Sequence, residues 1–568
     1  MTSGRVPRLV GAKLQRPATA LALLALAMAT AATWLLLAGR GLAFHGDEIF
    51  YYANLITRDG VTAPVYGVEY LFAPHNGHLV LLGRVVYEAL FALGGGDYGV
   101  FRVAGVLGVL ACAGLFFAFA VRRTSPLIAL ALAILLCFFG YANETLMWPF
   151  DLHTTYSAAL GLGALLALER EDRTGDILGA VLLVLSVLTL EVGLAFVLGA
   201  AVLVLQRPDR RSRLWIFLLP LALYAAWWLW ARQFHQPSEV VFANIRLVPY
   251  ELSNALGAIM GCLTGLNPSG DGSPANVVGV TAGGMVLAGF AVAGLLYRVR
   301  LGNVPPTLWA FLATAIGYWL TMTAAARAPD STRYVFVGAL LVLLVAVDAI
   351  RNVRFGAAAT AGIFVVVALA IPANVQKLYD GRSYELDVSR ASGSEYAMLE
   401  LGRPHVNLDY NPSADPNVQE AGGTLSTAIN ARDYFAAADR NGSMATPLDQ
   451  LREESPDLRQ IADATLVGAL ELAAAPASAP ADPAGCPTVL DASKADVAYF
   501  ELPRGGALLG SRGAAIDLGA SRFNRAQESV PVGQIPARGW VELRIPPDAA
   551  PDPWWAVVDA PVYVCPLP

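Results

Sequence analysis

Long apolar stretches separated by short basic segments fill the first two thirds of the chain. A helix needs roughly 20 apolar residues to cross about 30 Å of hydrocarbon. Stretches near this length cover residues 18–39, 98–121, 126–142, 152–168, 214–231, 275–297, 307–325, 334–350 and 355–372. The first could also be a signal peptide, because basic residues precede it, but the many later spans favour an uncleaved helix. The pattern predicts a polytopic α-helical membrane protein.

The apolar stretch 177–205 has one charged residue, Glu191, near its middle. As a single helix it would reach roughly 43 Å at about 1.5 Å per residue, which is too long for one upright span. Arginines flank both of its ends, and cytoplasmic loops attract such residues. Two short helices with Glu191 at an outer turn satisfy both observations. One long tilted helix with a buried Glu191 is the alternative. With the hairpin, the chain has about eleven spans.

The loops that this arrangement places on the cytoplasmic side are all short and basic, as the positive-inside rule requires. They are the N-terminus, Arg122-Arg123 and residues 170–173, 207–213, 298–300 and 351–354. We therefore predict a multi-pass protein of the plasma membrane with a cytoplasmic N-terminus. The chain beyond residue 372 is predicted to lie outside.

The charge composition changes near residue 372. Residues 1–372 carry 24 basic and 19 acidic side chains, a balance of +5, whereas residues 373–568 carry 15 and 26, a balance of −11. We predict a transmembrane domain over 1–372. A mixed, partly helical extracytoplasmic region follows over 373–485, and it ends in an Ala/Pro linker at 473–485. Residues 486–568 are predicted to form a soluble β-rich extracytoplasmic domain, because their segments of alternating polarity are bounded by Gly and Pro.

The cysteines divide between the two environments. Cys112, Cys137 and Cys262 lie in apolar segments, where a cysteine is usually a small core residue. Cys486 and Cys565 bracket the β-rich part, and we predict a disulfide that closes it. The alternative is two unrelated thiols. By the chain-entropy relation, a disulfide that closes so long a loop raises the free energy of unfolding by about 4 kcal/mol.

The composition excludes several function classes. Charged residues make up 15% of the chain, against about a quarter in soluble proteins, which excludes an ordinary soluble enzyme and a disordered protein. The net charge of −6 leaves no basic footprint for a nucleic-acid partner.

The polar residues of the membrane part gather at its predicted outer face. All six histidines lie there or in the tail, and charges near the middle of the spans are scarce. A transporter needs polar groups along a path near mid-depth. The distribution therefore predicts an active site at the outer surface, reached from the lipid and from external water.

The segment after the first span has the sequence Phe-His-Gly-Asp-Glu-Ile-Phe-Tyr-Tyr and contains His45, Asp47, Glu48 and Tyr51. Adjacent carboxylates repel, so one can keep a raised pKa, and a carboxylate can accept a proton from an attacking hydroxyl. The pair could also hold a divalent cation with His45. The alternative is a solvated loop with interfacial tyrosines.

The same loop continues with His75 and His78 and then an apolar stretch, 79–93, which carries Arg84 and Glu88 on one helix face. This stretch is predicted to be a helix lying in the outer interface. The two histidines could bind a metal, or the segment could be a helix-capping turn.

Two later outer loops complete the candidate site. The segment 143–153 contains Trp148, Asp151 and His153, and aromatic residues with a few polar groups suit a sugar. The segment 327–334 contains Arg327 and Arg333. Arginine forms forked hydrogen bonds to phosphate, so Arg333 is a candidate for a lipid phosphate with Arg327 in support. A structural ion pair between Arg333 and Asp330 is the alternative.

Together these residues resemble the GT-C superfamily of polyprenyl-phosphate-sugar-dependent glycosyltransferases, and most closely its protein O-mannosyltransferase and lipid A aminoarabinose transferase group. In that family the first external loop carries an essential acidic residue, often in an Asp-Glu pair, and Asp47 and Glu48 match in type and place. Interfacial helices follow the loop, as at 76–93. A basic residue of a late external loop binds the donor phosphate, and Arg333 fits best. The resemblance covers roughly residues 18–372.

The resemblance implies a GT-C-like membrane domain and an inverting transfer of a sugar from a polyprenyl-phosphate donor to an acceptor hydroxyl at the external face. Asp47 and Glu48 would be catalytic, with a divalent cation, Mg or Mn, as a possible aid. Arg333 and Arg327 would bind the donor phosphate. The remaining candidates for substrate binding are His45, Tyr51, His75, His78, Trp148, Asp151, His153 and Glu191.

The expected partners are the lipid-linked donor, membrane lipid and an acceptor that is a glycan, a lipid or a protein of a bacterial cell envelope. Two other readings stay open. One is a transporter or flippase for lipid-linked sugars. The other is a non-catalytic envelope scaffold that binds glycan through its tail, for which Asp47 and Glu48 would be dispensable.

Overall fold

The computed structural model describes residues 17–236, 240–267, 277–302, 304–328, 330–351, 353–423, 429–482, 485–489, 498–524 and 529–567. The chain divides into two compact units. The first comprises Met1–Gly41 and Ile56–Glu385, and the second comprises Leu42–Leu55 and Leu386–Pro568. A short segment from the N-terminal half therefore belongs to the C-terminal unit.

The described residues of the first unit are helical or in loops, apart from a two-stranded hairpin of β1 (Leu55–Arg58) and β2 (Val61–Pro64) where the unit begins again after the inserted segment. Its longer helices are Pro17–Ala38, Leu81–Gly94, Tyr98–Ala120, Pro126–Cys137, Leu152–Leu168, Arg173–Thr189, Val192–Leu205, Trp215–Ala231, Val248–Thr264, Ala282–Arg300, Pro306–Ala324 and Val335–Ala349. Short helices cover Val68–Phe72, Asn143–Met147 and Arg210–Arg213, and 3-10 turns cover Gly140–Ala142, Pro149–Asp151, Arg232–Phe234 and Phe242–Leu247.

Six helices of the described chain are long and apolar enough to cross a membrane, and two shorter apolar helices accompany them. The chain thus has the helices of a polytopic membrane protein. The predicted count of about eleven spans stays a prediction. The helix Val248–Thr264 was not among the predicted spans. In place of the predicted span 275–297, the structure has a helix from Ala282 to Arg300. Residues 275 and 276 of the predicted span lie outside the described residues.

The stretch around Glu191 forms the predicted hairpin. Helix Arg173–Thr189 ends just before Glu191, and helix Val192–Leu205 begins just after it. The alternative of one long tilted helix is therefore wrong. The 29-residue stretch breaks because Leu190 is extended, with φ −167° and ψ 158°, which ends the helical hydrogen-bond ladder.

Span ends that were assigned to one side of the membrane lie together in the first unit. Arg123 pairs with Asp348 (Nε–Oδ1 2.7 Å) and with Glu169, so three predicted cytoplasmic ends meet. On the other side, Glu144 meets Arg333 and His78 meets Glu191, which joins predicted outer loops. Each of these contacts joins loops that were predicted to lie on the same side of the membrane. Which side faces out stays a prediction.

The last predicted span continues well past its expected end. The helix runs from Ala357 to Gly402 and includes Pro372, where the span was predicted to stop. The two compact units divide within this helix, between Glu385 and Leu386. The change of composition near residue 372 is thus a change from apolar to polar helix rather than the end of a helix.

The second unit combines helices with two antiparallel sheets. After the long helix come Pro416–Glu420, Ala431–Asn441, Leu448–Glu453 and Pro456–Ala469. The strands are β3 (Ala475–Ala477), β4 (Thr488–Val489), β5 (Ala498–Glu501), β6 (Gly506–Ser511), β7 (Ile516–Ser521), β8 (Val530–Ile535), β9 (Trp540–Arg544), β10 (Trp555–Val558) and β11 (Val562–Pro566). One sheet has the order β5-β10-β7-β8 and the other β3-β9-β6-β11-β4.

The helices and sheets of the second unit are joined by specific contacts. Strand β3 lies inside the predicted linker and pairs with β9, so this part of the linker is a sheet edge. Buried Asp463, on the helix Pro456–Ala469, accepts hydrogen bonds from the backbone N–H groups of Arg522 (3.0 Å), Phe523 (2.9 Å) and Asn524 (3.0 Å). A buried carboxylate with these partners satisfies the end of β7 and holds it to the helix.

The predicted disulfide is confirmed. Cys486 and Cys565 are bonded, with their Cα atoms 5.1 Å apart. The bond ties the segment before β4 to β11, the strand with which β4 pairs. The other three cysteines are buried free thiols, as predicted.

Loss of this disulfide should destabilise the second unit strongly. It closes a loop with a sequence separation of 79 residues, so Cys486→Ser with Cys565→Ser should lower the free energy of unfolding by about 4 kcal/mol. Chemical denaturation of the oxidised protein and of the double variant, followed by tryptophan fluorescence, measures the difference. Buried Cys137→Ser is the control for a thiol outside the bond. Equal midpoints for oxidised protein and double variant would contradict the prediction.

Candidate active site

Arg333 is the best-defined side chain of the candidate site in the first unit. Its Nε lies 3.0 Å from Oε1 of Glu144, and its guanidinium carbon lies 4.7 Å from the centroid of the Trp148 ring. Thr332 donates to Oε2 of Glu144 at 3.1 Å, which orients that carboxylate. Arg333 thus has an ion pair with Glu144, a residue of another loop. These contacts hold the guanidinium in place while 26% of the Arg333 side chain stays exposed.

The loop containing Glu144 is joined to the Arg333 segment a second time. Thr145 donates its hydroxyl to the backbone carbonyl of Arg333 at 2.9 Å. Buried Asp151 accepts a hydrogen bond from the Thr154 hydroxyl at 2.7 Å through Oδ1. Burial raises the pKa of Asp151 to about 7, although the Arg333 charge and the hydrogen bonds oppose the shift. Asp151 and Arg333 therefore interact electrostatically, and the pKa of the Asp151 carboxyl lies near neutral pH.

The stability of the first unit should depend on pH through Asp151. Burial raises its folded pKa from the ordinary value of 3.8 to about 7, so its contribution to stability is fully present below about pH 4 and is lost as pH rises through 7. Asp151→Asn stays neutral. Relative to the wild type, this variant should gain stability between about pH 4 and 7, by roughly 1.4 kcal/mol per pKa unit at most.

Melting temperatures of the two proteins in detergent, from pH 4 to 8, measure this effect. The matched control is Asp330→Asn, which removes a carboxyl from the neighbouring loop. Parallel curves for wild type and Asp151→Asn would show that Asp151 does not titrate in this range.

Aromatic rings connect the Arg333 cluster to two of the predicted histidines. Trp148 stacks on Phe150 with 4.8 Å between ring centroids. The Phe150 ring lies 4.9 Å from that of His153 and 5.5 Å from that of His75. His153 Nδ1 is also hydrogen-bonded to the Phe150 carbonyl. Residues from three different loops thus form one row, which starts at the Trp148 face under Arg333.

The His153 ring packs directly against the backbone of the helix Leu81–Gly94 at Gly83. A Cβ built on Gly83, in the helix Leu81–Gly94, would lie 2.0 Å from the His153 ring. Any larger residue at this position would displace the ring, so a glycine is required here. The helix itself was predicted from its amphipathic pattern and is present. Its buried Arg84 donates to the carbonyls of Tyr70 and Ala73, which holds the preceding loop.

A tight turn links His75 to His78. Their backbones are hydrogen-bonded to each other in both directions, and the two residues between them, Asn76 and Gly77, have φ of +50° and +80°. Asn-Gly suits such a turn because both positions need positive φ. The turn sends the two rings to different partners, since His75 packs on Phe150 while His78 Nδ1 lies 2.8 Å from Oε2 of Glu191.

Glu191 anchors the residues that lead into the helix Leu81–Gly94. Its Oε1 accepts the Leu79 N–H at 3.0 Å and the Tyr224 hydroxyl at 3.3 Å. Burial raises the pKa of Glu191, but the His78 charge and the hydrogen bonds from His78 and Leu79 outweigh it, so the pKa lies below its ordinary value. The group stays ionised and holds His78 and the helix start together.

Arg327 lies close to the same cluster. Its backbone N–H donates to the Met322 carbonyl at 3.0 Å, which continues the preceding helix end. Arg327 and Arg333 belong to the segment that directly precedes the helix Val335–Ala349.

Asp47 and Glu48 belong to the second unit, as part of Leu42–Leu55. Asp47 is the N-cap of a five-residue helix, Glu48–Tyr52. Glu48 is fully buried, and its Oε2 accepts the His45 N–H at 3.4 Å, whereas Asp47 is partly exposed. The His45 ring is hydrogen-bonded through Nδ1 to the Ala43 carbonyl at 2.8 Å, and Tyr51 is buried. The two carboxylates thus have different environments.

The divalent cation stays a prediction. Across the described ranges, no group of three or more His, Cys, Asp or Glu side chains is placed to hold a metal ion. At the Asp-Glu pair, His45 is turned towards the Ala43 carbonyl. At the histidine turn, His78 is paired with Glu191. We therefore derive no chemical step through a cation.

The structure joins seven predicted residues of the first unit in one set of contacts. They are His75, His78, Trp148, Asp151, His153, Glu191 and Arg333. His45, Asp47, Glu48 and Tyr51 belong to the second unit. Sequence reasoning missed Phe150, which bridges the histidines to Trp148, and Glu144 as the partner of Arg333. An aromatic residue or a carboxylate in a loop has no signal that identifies such a contact.

Comparisons with known proteins give likeness in structure only. No protein family and no curated protein matches the sequence. ArnT from Cupriavidus metallidurans, solved bound to undecaprenyl phosphate, is 14% identical, with a TM-score of 0.41, over 76% of this chain and 90% of ArnT. Oligosaccharyltransferase AglB from Archaeoglobus fulgidus, in complex with an inhibitory peptide and a dolichol-phosphate, is 13% identical, with a TM-score of 0.39.

The AglB match covers 74% of this chain and 64% of that protein. An Archaeoglobus fulgidus oligosaccharyltransferase structure with Zn and sulfate is 12% identical, with a TM-score of 0.35, over 77% of this chain and 61% of that one. The chain thus spans less than two thirds of the length of each of these two oligosaccharyltransferase chains. At these identities, function is argued from the residues.

Proposed function

We propose that this chain is an integral membrane glycosyltransferase that moves a sugar from a polyprenyl-phosphate donor to an acceptor hydroxyl on the external face. The observation that carries the proposal is the held guanidinium of Arg333. Glu144 and Trp148 fix it from two sides, and a quarter of the side chain, 26%, remains exposed. A pre-positioned cation of this kind suits a phosphate that gains charge in the reaction.

Arginine serves this purpose better than lysine would. Its planar fork offers several donors to the oxygens of one phosphate. The ion pair with Glu144 is made through Nε of Arg333. Arg327, in the same segment, adds a second positive charge. Both lie at span ends, where the headgroup of a lipid donor is found while its tail stays in hydrocarbon.

The row of rings beside Arg333 suits the sugar of the donor or the acceptor. Trp148 and Phe150 offer apolar faces, and the neighbouring Asp151, His75 and His153 offer polar groups for hydroxyls. Binding sites for small molecules commonly combine apolar walls with a few placed polar groups. His78 and Glu191 support this row from the far side of the turn and are assigned to positioning.

Asp47 is assigned the role of general base. It takes the proton of the acceptor hydroxyl while the hydroxyl oxygen forms a bond to the anomeric carbon. The bond between that carbon and the phosphate oxygen breaks, and polyprenyl phosphate leaves with the electron pair. Attack opposite the leaving group inverts the anomeric centre. Partly exposed Asp47 suits proton transfer, whereas buried Glu48 suits support of the segment through His45.

The acceptor class is a glycan, a lipid or a protein of the cell envelope. The distribution of charged side chains favours a transferase over a transporter, since Arg123, Glu169 and Asp348 meet at span ends rather than along a path at mid-depth.

Purified protein in nanodiscs tests the proposal with synthetic polyprenyl phosphates that carry a hexose or a pentose. An envelope extract serves as the acceptor mixture. We expect release of polyprenyl phosphate and labelled product with at least one donor. Movement of the intact donor between leaflets without release would indicate the flippase. Glycan binding by a protein that neither moves nor cleaves any donor would indicate the scaffold.

A further inference from the structure

The segment that carries Asp47 and Glu48 is held by the C-terminal unit, to which it belongs. Its helix, Glu48–Tyr52, has only five residues. Helices much shorter than about 12 residues are not stable in water on their own, because nucleation costs more than so few hydrogen bonds return. The position of the carboxylates therefore depends on contacts made by the rest of this unit.

Those contacts come from the end of one helix in the tail. Helix Ala431–Asn441 finishes beside Tyr52, the last residue of the short helix. Arg440 Nη2 donates to the Tyr52 carbonyl at 3.0 Å, and Asn441 Nδ2 donates to the same carbonyl at 2.8 Å. The last carbonyls of a helix have no partner within it. Two side chains from residues 388 and 389 positions away in sequence thus supply this cap.

Further contacts hold the segment on both sides of that carbonyl. Arg440 also donates to the Asn54 side chain. The Tyr52 hydroxyl donates to the Gly442 carbonyl at 2.6 Å. Gly442 follows the end of the tail helix with φ +92°, a conformation that suits glycine and leaves its carbonyl directed away from the helix. The short helix and the tail helix therefore bind each other through their C-terminal ends.

Stacked tyrosines extend the attachment to the long helix. The Tyr52 ring lies 6.3 Å from that of Tyr434, which stacks on Tyr396 at 4.5 Å with a 7° angle between the planes. Tyr434 also donates to Glu400 Oε1 at 2.7 Å. Tyr52, Tyr396 and Tyr434 are all buried. This attachment is a packed, hydrogen-bonded connection rather than a surface contact.

We propose that Arg440 and Asn441 of the C-terminal unit are positioning residues that set the place of Asp47 through Tyr52. The inference rests on the proposed transferase function. It makes the tail a part of the catalytic apparatus rather than an added glycan-binding domain. A positioned general base works only within hydrogen-bond reach of the proton that it takes. Loss of the cap therefore affects turnover before it affects donor binding.

The test compares full-length variants in the transfer assay. Arg440→Ala and Asn441→Ala should each lower kcat by about tenfold or more, with little change in the KM for the lipid donor, as is typical when an oriented group is displaced. Arg440→Lys keeps one donor near the Tyr52 carbonyl and should recover much of the lost kcat. Tyr52→Phe removes only the hydroxyl contact to Gly442 and should have a smaller effect.

Arg432→Ala is the matched control. Arg432 lies on the same tail helix but pairs with exposed Asp409 at 2.9 Å, away from the Asp-Glu segment. It should leave kcat unchanged. Hydrogen exchange of residues 46–54 gives an independent readout, and it should speed up in Arg440→Ala and Asn441→Ala but not in Arg432→Ala.

The outcomes separate this inference from the function on which it rests. If the wild type transfers no sugar, the proposed function is wrong. If the wild type is active and both cap variants keep full kcat while exchange of 46–54 speeds up, the cap is structural only and the inference is overturned. An equal loss of kcat in Arg432→Ala would also overturn it, because the effect would then come from general damage to the tail.

Discussion

Replacing Asp47 by asparagine is expected to abolish sugar transfer while the protein stays folded. A general base contributes about 10²- to 10⁴-fold to the rate, and an amide of the same shape cannot take the proton. We expect kcat to fall by about a thousandfold. Release of polyprenyl phosphate from the donor, measured in nanodiscs at saturating donor, gives the number. Donor binding, measured separately, should be close to that of the wild type.

The neighbouring carboxylate provides the matched control. Glu48 is fully buried and accepts the His45 N–H, whereas Asp47 is partly exposed at the start of the short helix. Glu48→Gln should therefore lower stability and leave more activity than Asp47→Asn does. If Asp47→Asn stays fully active, or if Glu48→Gln is the more damaging of the two for kcat, the roles assigned to the pair are wrong.

Replacing Arg333 by alanine is expected to weaken donor binding more than acceptor binding. Hydrogen bonds to charged groups are worth about 1.5–3 kcal/mol, which corresponds to roughly a 10- to 150-fold rise in the dissociation constant of the donor. Arg333→Lys keeps the charge but loses the fork and should recover only part of the affinity. Titration of the purified protein with a short-chain polyprenyl phosphate measures this binding directly.

The partner of Arg333 shows whether the ion pair alone explains such a result. Glu144→Gln keeps the guanidinium but loses the charge that pairs with it at 3.0 Å. If Arg333 binds phosphate, Glu144→Gln should reduce donor affinity less than Arg333→Ala does. If both variants lose stability equally and neither changes donor affinity, the ion pair is purely structural and Arg333 does not bind the donor phosphate.

Helices and their interruptions were readable from sequence because they depend on local composition. The span near 98–121 and the helix Tyr98–Ala120 nearly coincide, since an unbroken apolar run has no other way to satisfy its backbone in hydrocarbon. The hairpin at Glu191 followed from length and flanking arginines. The end of the last span was missed, because polar residues after Pro372 still have good helical propensity and the helix continues to Gly402.

Contacts between distant loops could not be read in the same way. Arg333 was singled out because basic residues in an outer loop are conspicuous, but its ion pair with Glu144 could not be predicted. The row through Phe150 and the histidine turn depends on how three loops meet. Ring contacts of this kind are set by packing, and packing has no signature in a single loop.

The sequence by itself determined that the chain has long apolar helices and an acidic tail, and where the candidate side chains lie along the chain; it also predicted the disulfide of the β-rich part, which the structure confirmed. These features depend on runs, charges and cysteine positions within short windows. Only the tertiary structure decided that the Asp-Glu segment belongs to the tail unit and that Arg440 and Asn441 cap its helix at Tyr52. A five-residue helix cannot hold itself, so its place is set by partners hundreds of residues away.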